Sequence, residues 1–187
     1  MTENPAKSFE EAHERHRHGH EGPRWVPIAA AVLAVLAAVA GYFGNLRSTQ
    51  ALVAKNDSIV ATTHASDTYA QYQAGRVKFY LAQTALDQGL NAGGNRAKLQ
   101  ATEAREASKG EPLLKKAAGF EAEAAHHNER SERLLDQHET IEVATTLFEV
   151  AIVLVSITAL VGSRLLPVTA GVAALLGMGF FIAGLTR

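Results

Sequence analysis

The sequence contains no cysteine. Disulfides, thiolate metal centres and cysteine nucleophiles are therefore excluded, and the chain is compatible with a reducing or an oxidising compartment. No proline lies between Pro27 and Pro112, so nothing in that stretch forbids a long helix. Neither sign of charge is in excess: 18 Lys and Arg stand against 19 Asp and Glu. A balanced chain has no basic field to attract nucleic acid and no acidic surplus of the kind that prevents folding. The phosphate-binding loop, dinucleotide fingerprint, zincin motif and nucleophile elbow are all missing. The chain reads as non-enzymatic, with no cofactor implied.

What the chain does have is three apolar runs, at 26–44, 143–162 and 165–185. Each approaches the ~20 residues that a helix needs to cross the hydrocarbon of a bilayer. Helices and closed barrels are the structures that span lipid, because an unpaired backbone amide is too costly there. The expected fold is an all-α membrane protein with three transmembrane helices. Its segments are a His/Arg-rich disordered tail (1–24), a first span (25–45), a polar extramembrane segment (46–142) and two further spans (143–162 and 165–185).

The first span imitates a signal peptide through Ala38-Val39-Ala40, a small-x-small triplet. The apolar run continues past that triplet to Tyr42 and Phe43, and Trp25 and Tyr42 bracket it as interfacial aromatics would. A retained anchor is expected. Basic residues do not orient the chain by count: Lys7, Arg15, Arg17, Arg24 and Arg164 oppose Arg47, Lys55, Arg130, Arg133 and Arg187. Long loops translocate whatever their charge, and first helices usually dominate. Both point to a cytoplasmic N-terminus, with the polar segment outside a bacterial inner membrane.

Between the first two spans, Tyr69, Tyr72, Phe79, Leu86 and Leu90 recur at steps near three and four, the one-sided stripe of an amphipathic or coiled-coil-like helix. This arm is expected to continue the first span without a hinge. Gly89, Gly93 and Gly94, with Asn91 and Asn95, mark a turn. A short helix is expected over 96–109, then a second break at Gly110-Glu111-Pro112. The stripe resumes through Ala117, Phe120, Ala124, Leu134 or Leu135, His138 and Ile141. The two arms are expected to pack as a long antiparallel helical hairpin. Stripes this thin and Ala-rich bury little surface, so a homo-oligomer is expected.

The first arm also carries a family pattern: Ser48-Thr49-Gln50-Ala51-Leu52, Asn56-Asp57, and the run 65–74 ending Tyr69-Ala70-Gln71-Tyr72-Gln73-Ala74. These segments, the span–hairpin–span–span order and the Ser163-Arg164-Leu165-Leu166 turn resemble the bacterial domain-of-unknown-function family 4337 (DUF4337). Tyr69 and Gly75 depart from that pattern, where tryptophan and lysine are expected. The resemblance covers the chain from Trp25 onward. It implies a small bacterial membrane protein with a helical insert, and no activity or site residues.

Five groups of residues invite a chemical reading. Glu149 lies about two turns inside the second span, where a charged side chain costs ~2.5–3.5 kcal/mol even on the lenient insertion scale. It reads either as a proton- or cation-handling group lining an oligomer's lumen, or as a partner for Tyr42, Arg47 or Arg187. The tail 13–20 alternates histidine with other residues, which could bind zinc, copper or nickel through neutral imidazole only on a scaffold, and otherwise describes a disordered basic tail at a lipid surface. Glu123-Ala124-Ala125-His126 has the spacing of di-iron bundles but lacks the second copy these need. Likewise His64 and Asp67 have no nucleophile at useful spacing. Tyr69, Tyr72 and Phe79 form, with Tyr80, the densest aromatic patch, either a docking surface or a helix core. In the spans, Ala30/Ala34, Ala37/Gly41 and Ala173/Gly177 repeat small residues at four-residue steps, which permits close helix approach.

Two functions follow from different classes. The first is an oligomeric scaffold or interaction module that stands in the lipid bilayer and engages itself, or a protein partner, through a protruding hairpin. The second is a small oligomeric channel or proton/cation-coupled pore using Glu149.

Overall fold

The computed structural model describes residues 25–89, 95–161 and 163–187. The histidine-rich tail, Leu90 and the glycine pair Gly93-Gly94 lie outside the described residues. Three helices account for nearly all of the rest: α1 (Trp25–Asp87), α2 (Asn95–Val161) and α3 (Leu165–Thr186). Each contains a stretch long and apolar enough to cross a membrane. The first apolar run and the first polar arm are one 63-residue helix, as the lack of internal proline allows. Helix α1 ends where Gly89 adopts φ 69°, with its amide donating to the Leu86 carbonyl at 3.2 Å. A glycine takes that left-handed conformation without a β-carbon penalty.

The break expected at 110–112 does not occur. Helix α2 runs unbroken for 67 residues with Pro112 inside it, so 96–109 is not a separate helix. A mid-helix proline removes one hydrogen bond and crowds the carbonyl four residues back, costing ~3 kcal/mol or more. Packing on both sides offsets that cost. Glu106 and Ala117 are buried, and Gly110 meets the ring of Tyr72, whose Cε2 would stand 3.5 Å from a β-carbon there.

The chain divides into two compact units. One is Arg47–Leu135, and the other joins residues 25–46 with Asp136–Arg187. In the first, the buried positions of α1 are Ala51, Ala54, Ser58, Ala61, Ala65 and Thr68, continuing through half-buried Tyr72, Gly75 and Phe79 to Ala82. On α2 they are Glu106, Ala117, Ala124, Ser131 and Leu134, with half-buried Gly110, Leu113, Phe120 and His127 between. Both series alternate steps of three and four, an average of 3.5, which keeps one seam facing a partner along the whole length. Leu134 rather than Leu135 takes the inward position. The seam is made mostly of Ala, Ser and Gly, so the two backbones come close enough for side chains to bridge them. Ser58 Oγ donates to the Ala124 carbonyl and Ser131 Oγ to the Ala51 carbonyl, both at 2.9 Å. His64 stacks on Phe120, with ring centroids 5.2 Å apart. As residue numbers rise through 51, 58, 64 and 72 on α1, their partners on α2 fall through 131, 124, 120 and 110.

The second unit packs three helical segments around Leu33, Ala40, Ile141, Ala144, Phe148, Ala151 and Ala170. Ile141 and Phe148 are completely buried. Ile141 presents its two γ-carbons to glycines on different helices: Cγ2 would stand 3.4 Å from a β-carbon at Gly44, and Cγ1 2.6 Å from one at Gly184. Gly177 approaches Phe148 and the Ala144 carbonyl in the same way, at 3.1 and 3.2 Å. His138 Nδ1 lies 2.9 Å from the Gly44 carbonyl. A carbonyl can only accept, so that nitrogen carries the proton. The outward faces are Val, Leu and Ile, among them Val32, Val35, Leu160, Leu165 and Leu175.

Candidate functional site

Glu149 follows Phe148 directly, and one residue turns a helix by about 100°. With Phe148 pointing into the core of its unit, Glu149 is carried round to the exposed surface. It lies on a shallow groove of about 260 Å³ lined by Thr146, Glu149, Val150, Val153 and Leu154. The lining is otherwise apolar apart from Thr146, whose hydroxyl already donates to the Glu142 carbonyl at 3.0 Å. None of the partners expected for the carboxyl reaches it. Arg47 donates to Gln50, and the exposed Tyr42 ring packs edge-on against Phe43. Among the described residues Glu149 has neither a hydrogen bond nor an ion pair. The structure thus sets a bare carboxyl on the apolar outer surface of the three-helix unit.

The aromatic residues fall into two groups. Tyr72 and Phe79 occupy the seam of the Arg47–Leu135 unit and are half-buried there. Tyr69 stands beside the seam, over a groove of about 470 Å³ shared with Thr62, Ser66, Gln73 and Glu121. Desolvation raises the Tyr69 hydroxyl above its usual pKa of 10.0, and the charge of Glu121, to which the hydroxyl donates, raises it further. Tyr80, outside the seam, is 51% exposed. Arg76 covers one side of it, with its guanidinium 4.6 Å from the Tyr80 ring centroid and 5.3 Å from that of Phe79. The patch is therefore divided between internal packing and a single outward tyrosine.

Sequence reasoning missed Glu106. Its side chain is only 7% exposed and is held by Arg105 Nε at 3.1 Å and Lys109 Nζ at 3.4 Å. It fits because the facing residue is Gly75, where a β-carbon would stand 3.2 Å from Glu106 Oε2. Burial alone would raise the carboxyl's pKa. The hydrogen bond and charge of Lys109, then those of Arg105, outweigh it, and the net shift is downward. The signal was available: Glu106 sits four residues before Gly110 and eleven before Ala117, in phase with the seam.

The metal-like spacings do not assemble. Glu123 lies 3.8 Å from His127, one helical turn on, rather than from His126. His64 is occupied by Phe120 rather than Asp67. Among the described residues no group of three or more His, Cys, Asp or Glu side chains could hold a metal ion.

These observations define an all-helical protein with three helices long and apolar enough to cross a membrane. The chain belongs to the family described as a domain of unknown function (DUF4337), whose model matches residues 23–187. No curated protein and no solved structure matches it.

Proposed function

We propose that this chain is a non-enzymatic integral membrane protein that crosses the bilayer three times and assembles with copies of itself as a scaffold. The single observation that carries the reading is the bare carboxyl of Glu149. A charged side chain costs ~2.5–3.5 kcal/mol at the centre of a span, and such residues almost always face a bundle interior or a water-filled cavity. Glu149 faces away from the interior of its own unit. A second copy supplies the missing interior. The outward Val, Leu and Ile side chains support contact with lipid, and the segment 46–142, with its mixed charges, belongs in water. Opposed numbering along the 3.5-residue seam supports an antiparallel coiled-coil hairpin for that segment, free to engage a protein partner. The N-terminus is assigned to the cytoplasm and the hairpin to the outer side of a bacterial inner membrane.

The test is the oligomeric state of the whole chain in a mild detergent, measured by light scattering. The native chain is expected to run as an oligomer. Glu149→Leu, which removes the polar anchor, should shift it toward monomer, whereas Glu149→Gln, which keeps hydrogen bonding, should shift it less. A native chain that is strictly monomeric would refute the proposal. The same carboxyl carries the second reading, a small proton- or cation-coupled pore. A pore predicts that Glu149→Gln abolishes ion flux into vesicles while assembly persists.

A further inference from the structure

In the Arg47–Leu135 unit a groove of about 610 Å³ lies between α1 and α2, where Gly75 faces Glu106. Lys78 lines it from α1, and Arg105 and Lys109 line it from α2. Three cations meet one carboxylate, so the groove holds two positive charges in excess. Glu106 engages Arg105 through Nε alone and Lys109 through a single contact of 3.4 Å. The terminal amino groups of Arg105 have no acceptor among the described residues, and Lys78 has no hydrogen bond or ion pair among them. A guanidinium held by its Nε keeps a two-pronged edge for a second anion. The buried carboxylate therefore orders two cations without exhausting them. Both stay open to a solute, with 62% of the Arg105 side chain and 52% of the Lys109 side chain exposed. Ordering them in advance lowers the entropy that a ligand must overcome.

We infer that this groove binds a small, soluble phosphate monoester. The inference goes beyond the scaffold reading and does not depend on how many copies assemble. Charge selects the ligand first. A phosphate monoester carries about two negative charges at neutral pH, which matches the excess, whereas a simple carboxylate carries one. Shape selects it next. The terminal phosphate oxygens suit separate cations at Lys78, Arg105 and Lys109, and the Arg105 fork takes two oxygens at once. The volume lies in the ~300–1,000 Å³ range of small-molecule sites. It exceeds what a bare phosphate fills, which leaves room for an organic remainder beside Leu113. Pro112, on the same wall as Ser108, has no amide to donate to the Ser108 carbonyl four residues back. That stretch of wall thus offers an acceptor to a ligand hydroxyl as well as cations to its phosphate. The groove is open to water, so its charges are screened and binding should weaken as salt rises.

The test is calorimetric titration of the whole chain in a nonionic detergent and a phosphate-free, low-salt buffer. Inorganic phosphate and then glycerol 3-phosphate are the probes. Saturable binding of one equivalent per chain is expected, tighter for glycerol 3-phosphate than for phosphate. Lys78→Gln, which disturbs none of the Glu106 contacts, should weaken binding about tenfold or more, as should Arg105→Gln. Arg105→Lys keeps the charge but loses the fork, and should weaken it as well. Lys98→Gln, exposed on α2 and outside the groove, should leave binding unchanged. Equal losses from Lys98→Gln and Lys78→Gln would mean a diffuse surface charge and overturn the site. So would the absence of saturable binding, or acetate binding as tightly as phosphate. The titration repeated in phosphatidylcholine vesicles, with and without phosphatidic acid, separates a soluble ester from a lipid headgroup. Affinity that is indifferent to phosphatidic acid supports the soluble ester, and competition by that lipid overturns it. A chain that binds phosphate yet runs as a monomer keeps this site and refutes only the scaffold.

Discussion

Ser131 and Ala51 are joined across the seam of the Arg47–Leu135 unit, the serine hydroxyl donating to the alanine carbonyl at 2.9 Å. One heptad further along α1, the direction reverses, and Ser58 on α1 donates to Ala124 on α2. Each helix thus contributes one buried hydroxyl and one carbonyl. A shift of either helix by one residue would break both bonds. The pair therefore specifies register in a seam whose alanines alone would tolerate sliding.

Ser131→Ala and Ser58→Ala are each expected to lower stability by about 0.5–1.5 kcal/mol, the net value of an ordinary hydrogen bond. The carbonyls keep their own helical partners, so neither substitution orphans an acceptor. The two sites are separated by about 10 Å along the helices, and their effects should add. Ser131→Leu is expected to cost more, because a large side chain forces the backbones apart. Chemical unfolding in detergent, followed by circular dichroism, measures all three.

The glycines of α3 should differ sharply in their tolerance of a methyl group. Gly177→Ala places a β-carbon 3.1 Å from the buried Phe148 ring and 3.2 Å from a backbone carbonyl. Overpacking of that kind costs about 1–3 kcal/mol. Gly179, two residues on, has nothing within 4 Å, and Gly179→Ala should be neutral or slightly stabilising. Equal melting temperatures for the two variants would show that α3 does not dock through Gly177.

Glu106 sets a pH dependence with a definite sign. Its pKa in the folded chain lies below the ordinary 4.5, because Lys109 and Arg105 outweigh the effect of burial. The unfolded chain therefore takes up this proton first as pH falls. The stabilising contribution is complete above about pH 4.5 and is lost as pH drops through the depressed value. Glu106→Gln should flatten this acid limb of the stability profile. An unchanged acid limb in the variant would show that other carboxylates govern it.

Pro112→Ala tests the uninterrupted course of α2. Restoring the missing amide and removing the ring should stabilise the helix by up to ~3 kcal/mol, the difference between proline and alanine in a helix interior. A smaller gain would mean that the neighbouring packing has already absorbed the distortion. Gly119→Ala is a milder companion, with open space at the β-carbon and an expected gain of about 0.5–1 kcal/mol.

Much of this architecture was legible from period and composition. Runs of apolar residues announce membrane-length helices because lipid demands a paired backbone. Tyr72, Phe79, Ala117, Phe120 and Ala124 revealed the seam's phase. Pro112 misled because local propensity favours a break there, whereas Gly110 against Tyr72 and the burial of Ala117 hold the helix together. Tyr69 looked like part of the same stripe and instead turned out to stand beside it, bonded to Glu121. Glu106 was passed over as one charge among many, since its burial depends on the glycine facing it from another helix.

The amino-acid sequence alone determined that the chain is helical, that three stretches suit lipid, and that one long segment suits water, because these follow from the chemistry of each stretch in isolation. Only the tertiary structure decided which way each side chain turns. Phe148 is drawn inward by Gly177, and its neighbour Glu149 is thereby carried to the outer face. Ser58 and Ser131 are brought to carbonyls that lie 66 and 80 residues away along the chain. Such pairings depend on how closely two backbones approach, and that distance is set by the small residues of both helices together.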